Sequence, residues 1–92
     1  MKTTDFEAGL RADGYLDIES KRMQADCDNA EHSHPFDVRA LVLDGQISLT
    51  VAGVTRTYAQ GEVFTMAADC RHAEAVGTAG VSYLVGRRRA TT

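Results

Sequence analysis

All three histidines of the chain stand in two short stretches of the sequence. His32 and His34 lie in "EHSHPFD", and His72 lies in "CRHAE". Residues two apart on an extended strand point to the same face, so the first pair can present two imidazoles together. A neighbouring strand could then add His72 as a third donor. Taken alone, each histidine is more often a solvated or hydrogen-bonded residue than a ligand. The surrounding elements must therefore decide whether the three form one site.

The N-terminal residues predict one short helix. Thr4 and Glu7 have the spacing of a capping box, which predicts a helix over about residues 4–13 with Thr4 at its N-cap. Phe6 and Leu10 are four residues apart and share one face of this helix. Because so short a helix is not stable alone, we expect this face to pack on the rest of the chain.

The remainder of the chain has the alternation and the turn signals of short strands. The candidate strands are, in order, "YLDIES" with Leu16 and Ile18 on its buried face, "VRALVL", "QISLTV", "VTRTY", "EVFTM" and "VSYLVG". The turn signals are Asp44-Gly45, Ala52-Gly53, Gln60-Gly61 and the glycine pair Gly77 and Gly80. Strands spaced by about 8 to 12 residues are typical of an all-β sandwich or barrel. We predict one domain over residues 1–92, with the barrel over about residues 15–88.

The framework around the histidines resembles the cupin superfamily. The first cupin motif has the form H-x-H, three or four residues, Glu, six residues, Gly, and His32, His34 and Gly45 match it. The second motif has the form Gly, five residues, Pro, one residue, Gly, two residues, His. Gly61 and His72 match the two ends of this second motif with the same spacing.

This resemblance spans residues 30 to 86 and implies both a fold and a site. The implied fold is an antiparallel jelly-roll barrel, to which the sequence adds the short N-terminal helix. The implied site is one divalent transition metal held by His32, His34 and His72. Imidazole donors suit Fe, Ni, Mn, Zn and Cu, so the metal is not distinguished. Three protein ligands leave open positions for water or a substrate.

The carboxylate of the first motif is missing from its usual place, which Val38 occupies. Asp37 stands next to it and is a possible fourth ligand if the strand register shifts by one residue. Glu74 has the same strand parity as His72 and is the other candidate. It could be a fourth ligand, a catalytic general base or a carboxylate at the rim of the cavity.

Apolar residues on the predicted inner face should form the core. These residues are Phe36, Val42, Ile47, Leu49, Phe64, Met66, Tyr83 and Val85. Phe36 and Met66 could also form the apolar wall of a pocket beside the metal. Arg39 is interpreted as an outward, salt-bridging residue, with an anchor for an anionic ligand as the alternative. The basic run at residues 87–89 is interpreted as a solvated tail.

Composition limits the partners and the compartment. The formal net charge of −3 gives no electrostatic reason to expect a nucleic acid, and no apolar run is long enough to span a membrane. The N-terminus lacks the apolar core of a signal peptide, so we expect the cytoplasm, with Cys27 and Cys70 as free thiols.

Exposed strand edges predict a homodimer. If Leu41 and Leu43 face outward, the N-terminal helix or a second subunit must cover them.

Two classes of function fit these residues. The first is an enzyme, since the resemblance implies a metal-dependent oxygenase, isomerase or similar activity on a small molecule. The second is a protein that senses or binds a metal or a small metabolite without turnover, and the missing glutamate at position 38 favours it slightly. A small-ligand-binding or dimerising cupin without metal is the alternative to both.

Overall fold

The computed structural model describes residues 2–89. These residues form one helix, α1 (Thr3–Ala12), and six strands: β1 (Asp17–Met23), β2 (Asp28–His32), β3 (Phe36–Val51), β4 (Val54–Ala59), β5 (Val63–Met66) and β6 (His72–Arg89). The strands form one antiparallel sheet in the order β1-β6-β3-β4, with β2 paired to β6 and β5 paired to β3. The predicted all-β fold with one short N-terminal helix is confirmed. The extent of the domain over residues 1–92 stays a prediction.

The two long strands bend where the sequence predicted turns. Gly45 has a φ of +74°, and a Cβ atom there would collide with the carbonyl oxygen of Gly80 on β6. The β3–β6 ladder also shifts register on both sides of Gly45. The hairpin turn predicted at Asp44-Gly45 is therefore wrong, because the pair forms a bulge that bends one continuous strand. Likewise, Gly77 and Gly80 lie within β6 and do not precede it.

Two other predicted turns are confirmed. Ala52 and Gly53 have φ values of 50° and 79°, which suit the two-residue turn that joins β3 to β4. Gly61, with a φ of 87°, lies in the turn between β4 and β5. The first turn joins β3 to its partner β4, and the second joins β4 to β5, which also pairs with β3.

The helix forms where it was predicted, but its first turn differs. It begins at Thr3, so the capping box predicted at Thr4 is wrong: the N-cap is Lys2, whose side chain makes no capping hydrogen bond. The amide of Phe6 donates to the carbonyl oxygen of Lys2 at 3.0 Å. Phe6 and Leu10 are buried as predicted, so packing against the sheet fixes this short helix. Within residues 2–89, no helix has the length and apolar character that crossing a membrane requires.

Two groups of buried residues lie on opposite faces of β3 and β6. The inner core comprises Val38, Ala40, Val42, Ile47, Leu49, Phe64, Met66, Val76, Val81, Tyr83 and Val85, with Phe36 packed against it. The outer core comprises Phe6, Leu10, Tyr15, Leu41 and Leu84. The predicted core residues therefore lie together. The helix covers Leu41, and Leu43 packs against the same outer core, so the helix supplies the predicted cover.

Strand β1 buries only part of the face that its apolar residues indicated. Leu16 precedes β1 and is 67% exposed, while Ile18 packs against the outer core beside the helix. The opposite face of β1 carries Glu19, Lys21 and Met23. The predicted buried face is confirmed at Ile18 and wrong at Leu16, which precedes β1 and is not part of the outer core.

The basic run at residues 87–89 is the end of β6: all three residues pair with β3, and Arg87 also pairs with β1. Arg87 donates to Glu19 at 2.7 Å, and Arg88 donates to Asp37 at 2.8 Å. The interpretation as a solvated tail is therefore wrong. Arg39 does face outward, where it forms an ion pair with Asp13 at 2.5 Å.

Candidate metal centre and adjoining cavity

The start of β6 and the end of β2 bring the three histidines together. His32, the last residue of β2, pairs in register with His72, the first residue of β6, and His34 follows in the connection to β3. The ring centroid of His32 lies 4.5 Å from that of His72 and 4.9 Å from that of His34. One ligand atom from each of the three residues lies within 4.8 Å of the others. The sequence prediction that these residues meet at one place is confirmed.

Backbone carbonyls orient two of the rings. The Nδ1 atom of His32 donates to the carbonyl oxygen of Ala30 at 2.7 Å, and that of His72 donates to the carbonyl oxygen of Cys70 at 3.0 Å. Because a carbonyl oxygen only accepts, each Nδ1 carries the hydrogen, and Nε2 of the neutral ring carries the lone pair. Hydrogen bonds of this kind hold metal-binding histidines in position.

The Nε2 atom of His72 is the clearest sign of a missing partner. The residue is 1% exposed, and its Nε2 has no hydrogen-bond partner among the described residues. The Oε2 atom of Glu74 lies 3.5 Å from this nitrogen, so a lone pair and a carboxylate face each other. A buried polar atom without a partner costs free energy, and a bound cation would satisfy both groups. The donor set therefore fits a metal ion.

Glu74 is held next to the histidines by a residue that the sequence did not single out. Asn29 lies opposite Glu74 in the β2–β6 ladder, and its Nδ2 atom donates to Oε1 at 2.7 Å. This hydrogen bond engages one carboxylate oxygen and leaves Oε2 on the side of His72. Of the two predicted carboxylates, Glu74 is the one that the structure brings to the cluster.

Asp37 is not brought to the histidines. The register shift that would turn it inward does not occur: Val38 lies in the inner core, and Asp37 bonds to partners outside it. Its carboxylate accepts hydrogen bonds from Nε of Arg88 at 2.8 Å and from the amide of Ala68 at 2.8 Å. The hydrogen bond from Arg88, followed by that from Ala68, lowers the pKa of the Asp37 carboxyl group.

His34 stays neutral more readily than an ordinary histidine. Burial lowers its pKa, and the neighbouring His32 and His72 lower it further, because a second positive charge beside them is unfavourable. Its ring also stacks on Phe36, with 5.1 Å between the centroids. A neutral imidazole has the lone pair that a metal needs, so the environment of His34 favours its ligand form.

A cavity of about 310 Å³ adjoins the histidines. It is lined by Lys21, Met23, His32, His34, Phe36, Val38, Phe64, Met66, Glu74, Tyr83, Val85 and Arg87. Phe36 and Met66 form part of its wall, as the sequence predicted. Burial raises the pKa of Tyr83, so its phenol remains protonated.

Sequence reasoning missed two cations in this wall, Lys21 and Arg87. Arg87 could have been found, because the inward alternation of Tyr83 and Val85 continues to it after two more residues. No comparable signal marked Lys21, since the apolar residues of β1 indicated the opposite face. Cys27 and Cys70 are free thiols, and neither belongs to the histidine cluster.

Comparison with known proteins identifies the fold. No protein-family profile matches the sequence, and no curated protein matches it significantly. Solved structures do match. A protein of unknown function from Rhizobium leguminosarum bv. viciae 3841 has 19% identity and a TM-score of 0.73, over 78% of this chain and 68% of that one.

Two further matches are cupins. The cupin domain of Cnp3 from Schizosaccharomyces pombe has 16% identity and a TM-score of 0.71, over 78% of this chain and 54% of that one. A cupin protein from Bacteroides fragilis has 17% identity and a TM-score of 0.67, over 82% of this chain and 66% of that one. The match thus spans 54 to 68% of the length of these three structures. The chain has the cupin fold, an antiparallel jelly-roll barrel, as the sequence motifs implied.

Proposed function

We propose that this cupin-fold chain binds one divalent transition-metal ion through His32, His34 and His72 and binds a small molecule in the adjoining cavity, which it senses or acts on. The observation that carries the proposal is the buried Nε2 of His72, which has no hydrogen-bond partner within residues 2–89 and lies beside two further imidazoles. When bound, such an ion polarises an oxygen of a ligand or activates a water molecule. The donors suit Fe, Ni, Mn, Zn or Cu.

Glu74 is proposed as the fourth donor. Its Oε2 lies 3.5 Å from Nε2 of His72, and Asn29 holds the other carboxylate oxygen at 2.7 Å. Glu74 on β6 would then supply the carboxylate that the first cupin motif places at position 38 of β3, where this chain has valine. Glu74→Gln keeps the size and the contact with Asn29 but removes the charge. We expect it to weaken metal binding by about 10- to 100-fold.

The test of the site is a metal titration followed by calorimetry and by elemental analysis. The wild-type protein should bind one equivalent of Zn²⁺ or Ni²⁺. His32→Ala and His72→Asn should each lose that binding. Asparagine is chosen at position 72 because its amide can still donate to the carbonyl oxygen of Cys70, which keeps the buried contact. Metal-free unfolding curves show that each variant folds.

Two outcomes of this titration contradict the proposal. One is a wild-type protein that binds none of the ions. The other is stoichiometric binding that both histidine variants retain. The Glu74→Gln variant is judged separately: unchanged affinity removes Glu74 from the donor set and leaves the three-histidine site standing.

We also propose a homodimer and a location in the cytoplasm. Strand β4 forms one end of the sheet order, so an edge is available for a homodimer. The two free thiols, Cys27 and Cys70, suit the reducing cytoplasm. Sedimentation at several protein concentrations tests the dimer, since a monomer throughout would contradict it.

A further inference from the structure

The two cations in the cavity wall differ in how their charges are balanced. Arg87 donates to Glu19 at 2.7 Å, and its Nη1 atom makes a longer contact of 3.8 Å with the exposed Asp17. No carboxylate of residues 2–89 lies within ion-pair distance of Lys21. Lys21 is exposed to solvent, so its ammonium group is the cation of the wall that can pair with a ligand without breaking an ion pair.

The rest of the wall limits the kind of anion that could balance this charge. Apart from Tyr83 and the groups at the metal site, its remaining side chains are apolar: Met23, Phe36, Val38, Phe64, Met66 and Val85. We call these six residues the apolar wall. A cavity of about 310 Å³ is at the small end of ligand pockets. The surface therefore suits a small ligand with an apolar body and one negative charge, rather than a polyol or a multiply charged phosphate ester.

We propose that the cavity binds a small monocarboxylic acid, whose carboxylate pairs with Lys21 and whose apolar body lies against the apolar wall. Arg87 keeps a donor for the same carboxylate, because its contact with Asp17 is long. The proposal rests on the proposed function in placing the ligand beside the metal site. The pairing with Lys21 depends on the protein alone.

The test uses phenylacetate and its neutral amide, phenylacetamide, as matched probes in NMR titrations. Each probe is titrated into the wild-type protein, Lys21→Gln and Arg11→Gln, both metal-free and after addition of Zn²⁺. Arg11 lies on α1 and is exposed, so its replacement removes the same charge away from the cavity. We expect phenylacetate to bind the wild-type protein about tenfold more tightly than the amide. Lys21→Gln should abolish this preference, and Arg11→Gln should keep it.

Three results would overturn the inference: no binding of phenylacetate at millimolar concentration, equal affinities for the acid and the amide, or a preference that Lys21→Gln retains. A preference that persists in Lys21→Gln and needs Zn²⁺ would place the carboxylate on the metal instead. If the protein binds no metal but shows the preference that depends on Lys21, the proposed metal site fails and the ligand class stands.

Discussion

The two faces of β3 and β6 differ in whether their polar side chains are paired with one another. On the outer face, Asp37 bonds to Arg88 and Asp13 bonds to Arg39, and both guanidinium groups lie over the ring of Tyr15, at 4.4 and 4.6 Å from its centroid. Each of these charges has a partner of opposite sign. These two ion pairs therefore hold the helix end and the strand ends in place on the outer face.

On the inner face, polar groups are left without partners. Nε2 of His72 is buried without a hydrogen bond, and Lys21 has no carboxylate partner among the described residues. The buried Nε2 of His72 costs free energy without a partner, whereas the exposed Lys21 is solvated and can pair with a ligand at little cost. Both faces carry buried apolar residues, and the contrast lies in their polar groups, which are paired on the outer face and open to a ligand on the inner face. The predictions below test this separation, from the largest expected effect to the smallest.

Removing the centre of the outer core should cost the most stability. Leu10 is 0% exposed, so Leu10→Ala should lower the free energy of unfolding by about 2–5 kcal/mol in chemical denaturation. Leu16→Ala is the matched control, since Leu16 is 67% exposed and its truncation should change stability by less than about 0.5 kcal/mol. Equal losses in the two variants would mean that the helix does not pack as described.

Removing an inner-face histidine should instead change metal-dependent stability. His34 is partly exposed, so His34→Ala should change the free energy of unfolding of the metal-free protein by less than about 1 kcal/mol. At a free metal concentration of about one hundred times Kd, the wild-type protein should gain about 2.7 kcal/mol, and the variant should lose this gain. A metal-free loss as large as that of Leu10→Ala would make His34 a structural residue.

The outer-face carboxylate should give a pH-dependent effect without any effect on metal binding. The pKa of Asp37 is lowered in the folded protein, chiefly by the hydrogen bond from Arg88. Its contribution to stability is therefore present above the pKa of an unfolded aspartate and is lost as pH falls through the lowered, folded-state pKa. Asp37→Asn should be less stable than the wild-type protein at neutral pH, and the difference should shrink in acid.

Unfolding curves at several pH values check this expectation, with Asp28→Asn as the control. Asp28 is exposed and makes no ion pair among the residues that the structure describes. A pH-independent difference for Asp37→Asn would contradict the assignment of the Arg88 pair. A loss of metal affinity in this variant would contradict the separation of the two faces.

The sequence was sufficient for the type of fold and for the histidine cluster. The spacing of His32 and His34 fixes two rings on one face, and the distance from Gly61 to His72 matches a known motif. Both signals depend on short stretches of chain. Alternation within strands also identified most of the inner core, because each strand keeps its parity locally.

The predictions that were wrong concern features that depend on contacts between residues far apart in the sequence. An Asp-Gly pair suits a hairpin turn and a bulge equally well, and only the close approach of Gly80 makes Gly45 part of a bend. Leu16 alternates like Ile18, yet only Ile18 lies against the outer core beside the helix. Asn29 could not be singled out, since its role depends on pairing with Glu74 across the β2–β6 ladder.

The most direct test of the central claim is long-range ¹H–¹⁵N NMR of the three histidine side chains during a Zn²⁺ titration. Before metal is added, Nδ1 of His32 and Nδ1 of His72 should each carry a hydrogen, because that atom donates to a carbonyl oxygen in each. The account predicts that one equivalent of Zn²⁺ shifts the metal-binding nitrogens of His32, His34 and His72 together, with Nε2 as that atom in His32 and His72. Shifts at separate metal concentrations, or an unshifted His72, would contradict a shared site.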